Sequence, residues 1–248
     1  MELLYIIATI LILPGLIYGI YAQANVSRTF KAYDLMQNRS EKTGAEVARI
    51  MLDNAGLNDV KIERIKGNLT DNYNPKTKTL SLSDSTFESK SIAAIGVAGH
   101  EVGHAIQHRD GYKPLKIRSI LVPIVNIATT FFWPLFVVGI VLMSISQAYQ
   151  PAGEIIVWVS VAFYGSSTLF YLVTLPVEFN ASKRAIQILS AGILEPDEVP
   201  YAKKVLSAAA QTYISALVTS SLATVIIFSS CFAVSISFFT SSEATMSD

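Results

Sequence analysis

Hydrophobic and polar positions follow two different rhythms along this chain. Four apolar runs, Leu3 to Ala22, about Ile120 to Ile145, Ile155 to Leu175 and Leu217 to Phe239, contain no Lys, Arg, Asp or Glu. Each is long enough to cross a bilayer, so the pattern predicts four transmembrane helices. The rest of the chain is patterned on a shorter period. Ala45, Ala48, Met51, Leu52 and Ala55 recur at helical spacing and predict a helix over Thr43 to Ala55, with Gly44 at its start and Gly56 ending it. A short helix along the membrane is expected over Ser27 to Met36. Val60, Ile62 and Ile65 mark a strand, Gly67-Asn68 a turn, Asn72 to Lys76 a second turn, and Thr79 to Ser83 a second alternating strand. This last strand is expected either at a sheet edge, where an extended peptide could add to it, or as one half of a supporting hairpin.

Ile92, Ile95, Val102 and Ile106 form the apolar stripe of a further helix. Ser85-x-x-Glu88 offers it a capping box, and Ser89 or Ser91 would cap a later start. Gly96, Gly99 and Gly103 lower its helix propensity and imply that another element packs closely against it. Gly111 to Pro114 breaks the pattern, Pro123 and Pro134 predict kinks in the second span, and Pro176 is placed to open a new helix after the third.

Composition agrees with a membrane protein. The chain has 248 residues, of which 51% are hydrophobic and only 15% charged, too apolar for an ordinary soluble domain. Met1-Glu2 carries no basic n-region, and the first run exceeds the roughly 7–15 residues of a signal peptide, so it is expected to be an uncleaved anchor. The nineteen Lys and Arg fall in two segments, fifteen between Ala24 and Arg118 and four between Pro176 and Tyr213. Positive-inside bias therefore predicts a multi-pass protein of the cell membrane with both basic segments cytoplasmic and both termini external.

The expected organisation is a first span over 1–22, a cytosolic domain over 23–118, a second span over 119–146 and an external loop over 147–153. A third span over 154–175, a cytosolic helical segment over 176–213, a fourth span over 214–240 and an external tail over 241–248 complete it. Fifteen basic against eleven acidic residues in the long inner segment suit a face near anionic lipid rather than nucleic acid. The single cysteine, Cys231, allows no intramolecular disulfide and reads as a small buried hydrophobe.

The candidate chemistry is concentrated in Gly99 to His108, which holds all three histidines of the chain. His100-Glu101-Val102-Gly103-His104 reads His-Glu-x-x-His. On a helix the two histidines lie one turn apart on one face, so two imidazoles can converge on a zinc ion. Glu101 sits beside them, placed to accept a proton from water activated by that ion. His108 continues the face but stands about 12 Å along the axis from His100, which makes it a rim residue rather than a ligand. A third ligand is needed. Glu178 is the stronger candidate because an even number of spans puts it on the motif's side, although a first-turn glutamate favoured by the helix dipole is its plainer reading. Asp71 and Asp110 are weaker candidates. Ser182 and Asn180 are placed to orient ligands, and Tyr213 and Tyr73 are candidate oxyanion donors.

Gly96 to Gln107, then Gly111-Tyr112-Lys113-Pro114-Leu115, then Thr174 to Phe179, and finally Leu206 to Tyr213 resemble the YugP-like family of bacterial membrane-bound neutral zinc metallopeptidases. The resemblance covers nearly the whole chain. It implies a mainly α, four-helix transmembrane protein with a small α+β, zincin-like cytosolic metallopeptidase domain. It also implies a gluzincin-like, zinc-dependent endopeptidase with one catalytic Zn2+, held by His100, His104 and Glu178, and Glu101 as catalytic carboxylate. Its partners would be peptide or protein substrates, membrane proteins among them, and the lipid bilayer, with no nucleic acid. The chain departs from the family pattern at Asn72, Asn74 and Asn180, outside that triad. Two other readings compete. An intramembrane protease would place the motif within a span, against which stand Lys90 and Arg109 bracketing a short apolar run. A non-catalytic membrane scaffold or adaptor would keep the metal for structure and have no use for Glu101.

Overall fold

The computed structural model describes residues 2–246, without the side chains of residues 2–9, 11, 234 and 236–246. In chain order the elements are α1 (Glu2–Asp34), α2 (Gly44–Asn54), β1 (Lys61–Ile65), β2 (Asn72–Asn74), β3 (Thr79–Ser83), α3 (Asp84–Phe87), α4 (Ile92–Arg109), α5 (Lys113–Ile145), α6 (Gln150–Leu189) and α7 (Val199–Met246). They divide into two compact units, one of residues 1–19, 118–172 and 215–248, the other of residues 20–117 and 173–214.

The first unit consists of lengths of α1, α5, α6 and α7. Among the described residues, three helices are long and apolar enough to cross a membrane, over Lys113–Ile145, Gln150–Leu189 and Val199–Ala233. The expected first span falls on α1, where side chains up to residue 9 and at 11 lie outside those described. Helices in this unit meet through small residues. A Cβ on Gly139 would stand 2.9 Å from the Gly153 carbonyl oxygen, and the Thr168 and Thr224 hydroxyls pair at 2.9 Å. Close backbone approach and hydroxyl pairing are how helices associate where no hydrophobic drive separates them from lipid. Cys231 is buried with Val157 and Val161, as a small hydrophobe.

The second unit has a layered core. Helix α2 begins at Thr43, whose hydroxyl accepts from the Glu46 N–H while the Glu46 carboxylate accepts from the Thr43 N–H, a reciprocal capping box. Its apolar face of Val47, Ala48, Met51 and Leu52 packs with Leu80 and Leu82 of β3 and with Ile92, Ile95 and Val102 of α4. Gly56, at φ 70°, then turns the chain in the left-handed region that side chains resist.

Several expectations are corrected here. The strand over 79–83 is not an edge. The sheet order is β1-β3-β2, with β1 parallel and β2 antiparallel to β3, so both sides of β3 are already hydrogen-bonded. The segment expected as a turn at Asn72 to Lys76 contributes three residues to β2 before it turns. No separate helix lies over 27–36, because α1 runs unbroken to Asp34. Among the offered caps it is Ser91 whose side chain accepts from the Ala94 N–H, at 3.1 Å, while Ser85 belongs to the short α3.

Pro176 does not open a helix but lies inside α6. An interior proline removes a backbone hydrogen bond. Here Val177, Ala181, Ala185 and Leu189, each fully buried, form an i, i+4 stripe that packs the helix immediately beyond it. Likewise 199–213 and the fourth expected span are one helix, α7, which continues through the expected tail to Met246. The loop expected over 147–153 shortens to 146–149, between α5 and α6.

Candidate active site

Helix α4 owes its position to what its glycines lack. A Cβ on Gly103 would run into the carbonyl of Ala181 on α6, and one on Gly99 would stand 3.2 Å from Leu189 Cδ1. With hydrogen at these positions, the faces carrying the motif and residues 177–184 can close on one another. The Ile92, Ile95 and Val102 side turns into the core, while the other side carries His100, Glu101 and His104.

Glu178 meets them there. Its Oε2 lies 3.0 Å from His100 Nε2 and 3.5 Å from His104 Nε2. The two imidazole rings stand edge to face, with centroids 4.8 Å apart. Glu178 is 2% exposed in the interior of α6, so the plainer reading as a first-turn glutamate does not apply. A carboxylate buried to this degree needs a positive or hydrogen-bonding partner.

The distal ring nitrogens are held as well. His100 Nδ1 lies 3.0 Å from Ser182 Oγ, and His104 Nδ1 lies 3.0 Å from Gln107 Oε1. An amide oxygen only accepts, so Nδ1 of His104 is the donor. With that hydrogen on Nδ1, His104 can turn the lone pair of Nε2 toward the Glu178 carboxylate, two electron-rich atoms that a cation between them would reconcile. Ligand atoms of His100, His104 and Glu178 all lie within 4.8 Å of one another. Two imidazoles and a carboxylate are a donor set suited to zinc, with a coordination position left over, and the residues present fit that ion.

Glu101 is 8% exposed and lines a cavity of about 270 Å³ together with His100, Glu178, Ser182, Asp71 and Tyr213. The other expected residues are placed as follows. Asp71 reaches the cavity wall, but its two oxygens accept from the Ser83 N–H and Oγ, each at 2.8 Å, and it stands outside the metal-holding group. Asp110 is engaged by Arg109 and Arg184, whose hydrogen bonds hold its carboxyl below the usual aspartate value. His108 is not brought to the triad: its Nδ1 pairs at 3.0 Å with the Tyr73 hydroxyl. Burial raises the pKa of that phenol. Tyr73 thus sits on His108, and Tyr213 is the tyrosine that lines the cavity. Asn180 Oδ1 accepts from Gln107 and Arg184. Gln107 and Arg184 were not among the expected residues. The signal for Gln107 was its position one turn beyond His104 on the same helix.

A family model described as "Putative neutral zinc metallopeptidase" matches residues 8–232. The chain belongs to this family. It is also 41% identical over 201 residues to the "Putative membrane protease YugP" of Bacillus subtilis (strain 168), an alignment that covers 81% of this chain and 85% of the relative. No solved structure matches. Membership of a zinc metallopeptidase family, similarity to a membrane protease and three helices of membrane-crossing length agree with one another.

Proposed function

We propose that this chain is an integral-membrane zinc endopeptidase in which His100, His104 and Glu178 hold one Zn2+ and Glu101 is the general base. The observation that carries the proposal is the convergence of two Nε2 atoms and one carboxylate oxygen, with His100 and Glu178 lining the same cavity as Glu101. Zinc bound there would supply a Lewis acid that makes water a nucleophile near neutral pH and polarises the peptide carbonyl. Glu101 takes the proton from the attacking water and returns it to the leaving amine, which converts a poor leaving group into a neutral one. Ser182 and Gln107 hold the two imidazoles by their Nδ1 atoms, so that both Nε2 atoms stay aimed at Glu178. Tyr213, on the cavity wall, supplies an O–H toward the developing oxyanion.

The charge distribution supports a multi-pass arrangement with this site on the cytoplasmic face and the termini outside. The basic residues bracketing the apolar part of α4 favour a substrate reached outside the bilayer core. Substrates are peptides or proteins, with membrane proteins within reach.

The test is metal analysis of detergent-purified wild type and Glu101→Gln, paired with cleavage of a model peptide. Wild type is expected to bind one zinc and cleave, and Glu101→Gln to bind zinc but lose cleavage by about 10²–10⁴-fold. Full zinc occupancy with no cleavage of any peptide by wild type would instead identify an adaptor with a structural metal. Full activity in Glu101→Gln would remove that residue from the chemistry.

A further inference from the structure

We infer that Arg184 is a positioning residue for the metal site: through Asn180 and Gln107 it fixes the proton of His104 on Nδ1 and so presents Nε2 unprotonated to the ion. The inference rests on the zinc reading above and adds to it a residue remote from the ligands.

The argument follows from which groups can only donate and which can only accept. Arg184 Nε lies 2.8 Å from Asn180 Oδ1, and a guanidinium has no acceptor, so the atom of Asn180 facing it is the oxygen. That same oxygen lies 3.0 Å from Gln107, which must then offer its NH2. The Val177 carbonyl, 2.8 Å from the same Gln107 nitrogen, makes the identical demand, since a carbonyl only accepts. Gln107 is completely buried and its amide is therefore oriented from two sides. Its remaining atom, Oε1, faces His104 Nδ1 at 3.0 Å and requires a hydrogen there. The neutral ring keeps one proton, so Nε2 bears the lone pair.

The two histidines differ in this respect. His100 Nδ1 faces Ser182 Oγ, a hydroxyl that can donate or accept and imposes no tautomer. His104 alone has its tautomer dictated, from two sides: by the Val177 carbonyl and by a permanently charged side chain that is itself anchored to Asp110 at 2.5 Å. Were Asn180 to rotate, its NH2 would face Gln107, and the amide of Gln107 could satisfy Asn180 only by turning its own NH2 toward His104 and its oxygen toward the Val177 carbonyl. Nδ1 would then accept, and the proton would move to the nitrogen that has to hold the metal. Arg184 opposes that rotation.

The test measures zinc affinity of the full-length protein in detergent by competition with a chromogenic chelator. Wild type and His104→Ala establish the site: zinc lost in His104→Ala is expected, and wild type binding no zinc would overturn both this inference and the zinc reading. Given a zinc site, Arg184→Met is expected to weaken binding by about 10–100-fold, and Gln107→Leu by at least as much. The double variant should be no weaker than Gln107→Leu alone, because both changes break one relay. Asp110→Asn, which removes the ion pair and leaves the Arg184–Asn180 bond, should bind zinc like wild type.

Asn180→Asp keeps an acceptor between Arg184 and Gln107 and should retain affinity, whereas Asn180→Leu should lose it. That pair carries the same contrast if Arg184→Met does not fold. Wild-type affinity in Arg184→Met or in Asn180→Leu, strictly additive losses in the double variant, or an equal loss in Asp110→Asn would each overturn the inference. A ¹⁵N spectrum of the imidazoles provides the direct readout, with His104 protonated on Nδ1 in wild type and losing that preference in Arg184→Met.

Discussion

Glu178 Oε2 lies 3.0 Å from His100 Nε2, although 78 positions separate the two residues in the chain. The chain leaves α4, passes through α5 and most of α6, and returns to supply one oxygen beside two nitrogens. Because these three atoms come from two elements, the strength of any metal site they form depends on how those elements are held as much as on the three side chains themselves.

Glu178→Ala is expected to reduce bound zinc by more than tenfold at equal metal concentration, read by equilibrium dialysis and elemental analysis. The remaining imidazoles lose the only carboxylate of the set. Zinc content equal to wild type would remove Glu178 from the ligand set.

Removal of the Ser182 hydroxyl tests orientation rather than ligation. Ser182→Ala leaves every ligand atom in place but frees the His100 ring at Nδ1. Zinc affinity should fall by about 10–100-fold, with the fold unchanged by circular dichroism. Wild-type affinity would show that packing alone holds the ring.

Two glycines of α4 predict unequal effects. Gly103→Ala sets a Cβ against the Ala181 backbone carbonyl, which cannot step aside without moving α6, and a cost of about 1–3 kcal/mol is expected, with weakened zinc binding. Gly99→Ala meets the tip of the Leu189 side chain at 3.2 Å, which can rotate, so its cost should be smaller and its zinc affinity near wild type. Denaturant titration of the two variants side by side measures the difference, and equal costs would refute the account of the close approach.

The cavity beside Glu101 is bounded on one side by Leu206, Ala209 and Ala210 of α7. Ala209→Phe narrows it without replacing a ligand. Peptide cleavage should show a raised KM with zinc content unchanged, and unaltered kinetics would place the substrate elsewhere.

Much of this site was legible in the sequence, and the remainder was hidden for identifiable reasons. His100, Glu101 and His104 announce themselves because helix periodicity turns their spacing directly into geometry. Glu178 could be nominated on topology, but its burial could not, since Pro176 mimics a helix start and nothing local shows that α6 runs through it with Val177, Ala181, Ala185 and Leu189 packed. The strand β2 is three residues of Asn-Tyr-Asn, whose intrinsic preference is for a turn. It is a strand because the neighbouring β3 offers it a partner, which the preferences of the three residues themselves do not announce. The same is true of Gln107, whose role depends on Val177 and Asn180, 70 and 73 positions away.

The bare Cα of Gly103 has a consequence for which ions the site would welcome. The gap between the motif helix and the stretch bearing Glu178 is set by a hydrogen atom meeting a peptide carbonyl, a contact with almost no give. On the zinc reading, the jaw width of the site is therefore fixed by backbone. An ion needing longer bonds, such as Ca2+ at about 2.3–2.6 Å, would have to pry two helices apart, so discrimination by size is built in before any ligand is chosen.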